Sequence, residues 1–86
     1  MPEISRFFGI VISMHYVDHE PPHFHARYGE HEAAVAIESL GILRGHLPSR
    51  AHALVLEWAS ARRHELMADW ALAREHRPLA PVAPLE

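Results

Sequence analysis

Hydrophobic and polar residues alternate along the first half of the chain with the two-residue period of β-strands. Residues 8–16 follow this pattern and predict a first strand with one well-buried face. Residues 23–28 predict a second strand, which a short glycine-containing turn joins to a third over residues 33–37. The apolar segment 42–44 predicts a fourth strand. Because short connections join antiparallel neighbours, the pattern predicts a small antiparallel β-meander of three to four strands.

The second half of the chain has the composition of a helix. Residues 49–75 are rich in Ala, Leu, Glu and Arg and contain neither Gly nor Pro. An apolar stripe that includes Trp58 is followed by a second one, around Trp70, rotated by about a quarter turn at 100° per residue. Either the helix breaks near residues 62–64, or one long helix packs its halves against different neighbours. The absence of a strong N-cap residue for a second helix favours a long or kinked C-terminal helix.

The last ten residues differ in composition from the rest. We expect a single α+β domain over residues 1–76 and an extended proline-rich tail over residues 77–86, in which proline recurs at every third position from Pro78. Polyproline II has three residues per turn, so the intervening apolar residues form one ridge that packs on the domain or docks in a partner's groove. The ridge residues are Leu79, Val82 and Leu85.

Composition excludes several classes of function. The chain has 86 residues, eight arginines without lysine, eleven carboxylates and a net charge of -3, so nucleic-acid binding through phosphate contacts is not favoured. It has no cysteine, so a metal must be held by nitrogen or oxygen. No apolar run approaches the roughly 20 residues of a membrane helix, and the start lacks a secretory signal, so we expect a cytoplasmic protein. A domain of this size buries a modest core, which makes a partner chain or a homo-oligomer plausible.

Histidine carries the candidate chemistry. The chain has nine histidines, and in the segment Pro-Pro-His-Phe-His, His23 and His25 share one face of a strand, with Cα atoms about 6.6 Å apart. The pair suits a divalent transition metal such as zinc, nickel or copper. His19 would join it if the preceding loop folds back, for example through a cis proline, and His31 would approach from across the hairpin. Carboxylate oxygens of nearby glutamates are further candidate ligands.

Two alternatives to a metal site remain open. The histidines form a half-exposed sheet face without a ligand, or they act on an anion such as a phosphodiester. In the second case His23 and His25 exchange protons while Arg27 and Tyr28 assist, with Arg27 stabilising developing negative charge. No nucleophile motif and no glycine-rich phosphate loop supports catalysis, so an enzyme is the less favoured class.

Segments that are distinctive in their order and spacing lie at residues 1–10, 18–19, 21–26, Gly45, 47–48, 57–58, 64–66, Trp70 and 84–85. Together they resemble a small bacterial family, the domain of unknown function 4160. The resemblance covers almost the whole chain and rests on the order and spacing of these segments. It implies a small stand-alone protein encoded beside a second small protein, an arrangement similar to toxin and antitoxin pairs. The Pro-Pro-His-Phe-His segment is the hallmark of the family.

These observations lead to one expected function and two alternatives. We expect an uncharacterised bacterial protein that acts as the protein-binding component of a toxin-antitoxin-like module, with the histidine-rich face as its functional surface and a small partner encoded nearby. The first alternative is a metal-binding regulator that uses His23 and His25. The second is a small ribonuclease-like toxin that uses His23, His25 and Arg27.

Overall fold

Five antiparallel strands are followed by two helices in the computed structural model of the chain, which describes residues 2–16 and 18–86. The strands lie side by side in chain order, so the sheet is an antiparallel meander and the fold is α+β, as the sequence predicts. The elements are β1 (Glu3–Phe7), β2 (Ile10–Ser13), β3 (His23–Tyr28), β4 (His31–Ala36), β5 (Ile42–Gly45), α1 (Ser49–Ser60) and α2 (Arg63–Arg74).

The prediction of three to four strands, with a single first strand over residues 8–16, was wrong. Phe8 and Gly9 have φ angles of 47° and 80°, and positive φ at both central residues is typical of a type I′ hairpin turn. The turn pairs Phe7 with Ile10 and separates β1 from β2. Because apolar residues continue through this turn, the alternation alone gave no sign of it. Phe8 is 56% exposed.

Strand β3 lies at the centre of the sheet and has the bounds that the sequence predicts. A two-residue turn of Gly29 and Glu30 joins it to β4, and Gly29 adopts a φ of 59° that glycine tolerates without strain. The register places His25 between Ser13 on β2 and Ala34 on β4. Strand β3 therefore has a neighbouring strand on each side, β2 and β4.

The prediction of one long or kinked helix was also wrong, because α1 ends at Ser60 and α2 begins at Arg63. Arg62 has a φ of -124°, outside the helical region. The amide groups of Ala61 and Arg62 close the end of α1 with bonds to residues three positions earlier. The break lets both rotated apolar stripes face the same core, and Trp58 and Trp70 are both buried.

Helix α2 ends in a Schellman motif. His76, with a φ of 57°, donates its N–H to the carbonyl of Ala73, and Arg77 donates to that of Leu72. These two bonds satisfy carbonyl groups that the helix end leaves free. The proline-rich tail follows directly.

One face of the sheet carries the core. Trp58 lies 5.2 Å from Phe7 and 5.8 Å from Phe24 between ring centroids, so α1 packs directly on the strands. The alternate residues of each strand project their side chains from the opposite face of the sheet. Within the described residues, no helix is both long enough and apolar enough to cross a bilayer. The largest fully buried apolar side chains are Trp58, Phe24, Ile10, Ile12, Met14, Ile37, Leu66, Val35 and Val55.

Candidate functional site: a carboxylate among three imidazoles

One carboxylate oxygen, Oδ2 of Asp18, lies among three imidazole rings. It is 3.0 Å from Nε2 of His23, 3.3 Å from Nε2 of His25 and 3.9 Å from Nδ1 of His15. The other oxygen, Oδ1, accepts a hydrogen bond of 2.8 Å from the backbone N–H of His19. The Asp18 side chain is 16% exposed, so this arrangement is largely shielded from water.

The geometry of strands β2 and β3 places the three imidazole rings close together. Successive strand residues point to opposite faces, so His23 and His25 of β3 project to the same side. Ser13 is the partner of His25 in the register, and His15 follows Ser13 by two residues. The segment between β2 and β3 then brings Asp18 back over the rings, and its Glu20–Pro21 peptide bond is cis.

His23 makes contact with an acceptor at each ring nitrogen. Its Nδ1 lies 2.8 Å from the carbonyl oxygen of Pro21, and its Nε2 faces Asp18. Both neighbouring groups are hydrogen-bond acceptors, and the tautomer of the ring decides which nitrogen donates. His23, which is 2% exposed, is therefore held between the Pro21 carbonyl and the Asp18 carboxylate.

The surroundings of Asp18 hold it in the ionised form. Partial burial raises the pKa of Asp18, but the hydrogen bonds from the His19 amide and His25, with the charge and hydrogen bond of His23, outweigh burial and lower that pKa to about 2. The carboxylate is thus charged over the whole physiological range.

His25 is held in the neutral form. Burial lowers the pKa of His25, the hydrogen bond to Asp18 opposes this, and the nearby charges of His15 and His23 add to the lowering. Its Nδ1 lies 3.6 Å from a carboxylate oxygen of Glu32. The His15 ring stacks on it with centroids 3.9 Å apart. The Nε2 atom of His15 is buried without a hydrogen-bond partner among the described residues.

The structure brings together some of the predicted metal ligands and not others. Across the described chain, the ligand atoms of His15, Asp18 and His25 all lie within 4.8 Å of one another. His19 is exposed and contributes its backbone amide rather than its ring. His31 is also exposed, and its ring lies 5.9 Å from that of His46, at the other end of β4 from the cluster.

The other two predicted catalytic residues, Arg27 and Tyr28, lie on opposite faces of β3. Arg27 is exposed on the same face as His25, and both line a small cleft of about 90 Å³ with Glu32. Tyr28 projects to the opposite face of β3, where it borders a cleft with Phe8. The structure therefore does not group Tyr28 with the histidines.

Neither Asp18 nor His15 is among the metal ligands predicted from the sequence. The available signal for His15 was the strand register, since residues 11, 13 and 15 share a face that lies beside His25. Nothing in the loop sequence identified which carboxylate would return to the sheet.

Comparison with known proteins addresses family membership. The model of a domain of unknown function, DUF4160, matches residues 9–71, a segment that contains the whole cluster. No curated protein and no solved structure matches the chain. The match spans well over half of the sequence and agrees with the resemblance found in its segments. The chain belongs to the DUF4160 family.

Proposed function

We propose that this protein binds a divalent transition metal ion through His15, Asp18 and His25, with His23 positioning Asp18. The observation that carries the proposal is the position of Asp18 Oδ2, within 3.0 to 3.9 Å of three imidazole nitrogens in a largely buried place. Nitrogen and oxygen ligands without thiolate suit zinc, nickel or copper.

The distances between the ligand atoms support a shared ion. Two ligands bound at about 2.0 to 2.1 Å to a tetrahedral ion lie about 3.3 Å from each other. Asp18 Oδ2 and His25 Nε2 are 3.3 Å apart. The 3.9 Å separation between Asp18 Oδ2 and His15 Nδ1 requires a small ring rotation.

The protonation of His25 gives a second argument. A neutral imidazole has one N–H and one lone pair, yet both nitrogens of His25 face carboxylates, Asp18 at 3.3 Å and Glu32 at 3.6 Å. Without a cation, one carboxylate faces a lone pair. A metal ion on Nε2 removes this conflict, because Nδ1–H then points to Glu32, as second-shell carboxylates commonly orient ligating histidines.

Three protein ligands leave one coordination position for water or an exogenous group, as in catalytic and exchangeable sites rather than closed structural ones.

A ribonuclease-like role is less well supported by the geometry. Acid-base catalysis on RNA needs imidazoles that a phosphodiester can reach, whereas His23 and His25 are 2% and 7% exposed. A metal ion is small enough to enter.

The test uses protein without a histidine tag, treated with chelator and then titrated with Zn²⁺, Ni²⁺ or Co²⁺. We expect one ion per chain, and at least about tenfold weaker binding in His15→Ala, which removes a half-buried candidate ligand. His31→Ala is the matched control, since it removes an exposed imidazole outside the trio. Absence of stoichiometric binding, or equal losses in both variants, refutes the proposal.

A second candidate function is binding of a small partner protein in the cytoplasm, as the family resemblance implies. The open edge of the sheet favours it, because all four residues of β5 are exposed, and Ile42 and Leu43 are 37% and 40% exposed. A sheet edge offers unpaired backbone groups to another chain. Co-expression with the product of the neighbouring gene tests this role: co-purification lost on Leu43→Arg supports it, and separate elution at micromolar concentration opposes it.

A further inference from the structure

The proline-rich tail contacts the domain with a three-residue period. Leu79 and Leu85 are half-buried against the core, Val82 is 3% exposed, and the residues between them are exposed. Three residues per turn is the period of polyproline II. The tail therefore presents one apolar ridge to the domain.

The groove under the tail recognises its backbone as well as the ridge. Trp58 donates its indole N–H to the carbonyl oxygen of Ala83 at 2.8 Å. The Val82 N–H donates to the carbonyl of Ile4 on the edge strand β1, also at 2.8 Å. The groove thus combines an aromatic N–H donor with apolar pockets, and proline-rich segments commonly bind to grooves lined by aromatic residues.

A third contact comes from a buried carboxylate. Asp69 of α2 is 1% exposed, and its Oδ1 accepts a 2.8 Å hydrogen bond from the N–H of Ala80. Its Oδ2 has no partner among the described residues. Burying a carboxylate costs free energy unless the carboxylate has a hydrogen-bonding or charged partner. Because Asp69 has a backbone N–H of the tail as its partner, we interpret the groove as a binding site for a polypeptide backbone.

We infer that the groove formed by Ile4, Trp58 and Asp69 is a polyproline-II recognition site that also accepts the tail of a second copy of this chain. All three hydrogen bonds join the tail to the body of the domain, so the same contacts can form between two copies. Reciprocal exchange of the tails gives a symmetric dimer without any new binding surface.

Two features of the chain favour exchange. His76, with a φ of 57°, is a non-glycine residue in the left-handed region, so extending it releases local strain, which offsets part of the cost of losing the Arg77–Leu72 bond, and frees the tail beyond the last turn of α2. Ten residues of polyproline II span about 31 Å at about 3.1 Å per residue. The long axis of the molecule is 33 Å. The tail is therefore long enough to reach a neighbouring groove.

The experiment pairs a variant with a defective tail and a variant with a defective groove. Val82→Asp places a charge in the buried seat and leaves the groove intact, whereas Trp58→Phe removes the indole donor and leaves the tail intact. We expect each variant alone to be monomeric in light scattering and the mixture to contain a one-to-one complex. Pro81→Asp, which adds the same charge at an exposed tail residue outside these contacts, is the control and should behave as the unmodified chain.

A peptide titration keeps the test decisive if Trp58→Phe fails to fold. A synthetic peptide of residues 77–86 is titrated into the folded Val82→Asp full-length chain. We expect saturable binding that weakens by at least about tenfold when the peptide itself carries aspartate at position 82. Absence of peptide binding, or a Val82→Asp chain that remains dimeric, overturns the inference.

Discussion

The contacts that Asp18 makes with the His19 amide, His25 and His23 predict a sizeable loss of stability when the carboxylate is removed. Replacing Asp18 with Asn keeps the size of the side chain but removes its charge. The pKa of Asp18 is lowered from 3.8 to about 2, and its side chain is 16% exposed. This difference corresponds to about 2 kcal/mol of stabilisation at neutral pH. For a domain of this length the melting temperature should fall by about 8 to 16 °C.

The lowered pKa of Asp18 also determines how the stability of the protein depends on pH. Because the pKa of Asp18 is lower in the folded chain than in the unfolded chain, the stabilisation is fully present above pH 3.8 and is lost as the pH falls towards 2. The unmodified protein should therefore lose about 2 kcal/mol over this window, and Asp18→Asn should lack that part of the acid dependence.

Urea denaturation of chelator-treated protein, followed from pH 7 to pH 2, measures both effects. Glu20→Gln is the control, since Glu20 lies in the same loop with its side chain 62% exposed and paired with Arg74 on the surface. Exposed pairs contribute about 0 to 1 kcal/mol. If Asp18→Asn unfolds within about 0.5 kcal/mol of the unmodified chain at pH 7, the proposed stabilisation by the ionised Asp18 carboxylate is wrong.

Two further substitutions test other parts of the fold. Burial raises the pKa of Asp69 above 3.8, so the stability of the protein should decline as the pH rises above that value. Asp69→Asn keeps an acceptor for the Ala80 N–H and should make the melting temperature less dependent on pH in this range. An unchanged dependence of the melting temperature on pH contradicts this prediction. Gly45 has a φ of 82°, and a Cβ there would overlap the carbonyl oxygen of Glu32, so Gly45→Ala should destabilise by at least about 3 kcal/mol in urea. Gly29→Ala, with a φ of 59° but open space, should cost about 1 to 2 kcal/mol, and equal losses at both positions would refute the role of the overlap.

The fold was largely predictable where one periodicity acts alone. Strand β3 follows from strict alternation between two turn signals, and its bounds agree with the structure. The turn at Phe8 was not predictable in the same way, because an exposed phenylalanine with positive φ continues the apolar pattern of its neighbours. The helix break at Arg62 lacks Gly, Pro and a side-chain cap, so only the rotated stripe indicated it.

The site was predictable only in part, since its histidines lie on strands and its carboxylate lies in a loop. Strand geometry places His23 and His25 together regardless of the rest of the fold. Asp18 reaches them through a path of the chain between β2 and β3 that depends on tertiary packing, with Glu20 paired to Arg74 and Tyr16 stacked on His76. Neither contact is visible in local sequence.

The two tryptophans lie at the two regions where we expect binding, and each gives an intrinsic optical signal. The Trp70 ring is 5.3 Å from that of His23, close enough for its emission to respond to a change of charge at the cluster. Trp58 is hydrogen-bonded to the tail, so its emission wavelength changes when water replaces that carbonyl. Single Trp→Phe variants separate the two signals, which allows ion uptake and tail release to be timed in an unlabelled chain by stopped-flow fluorescence.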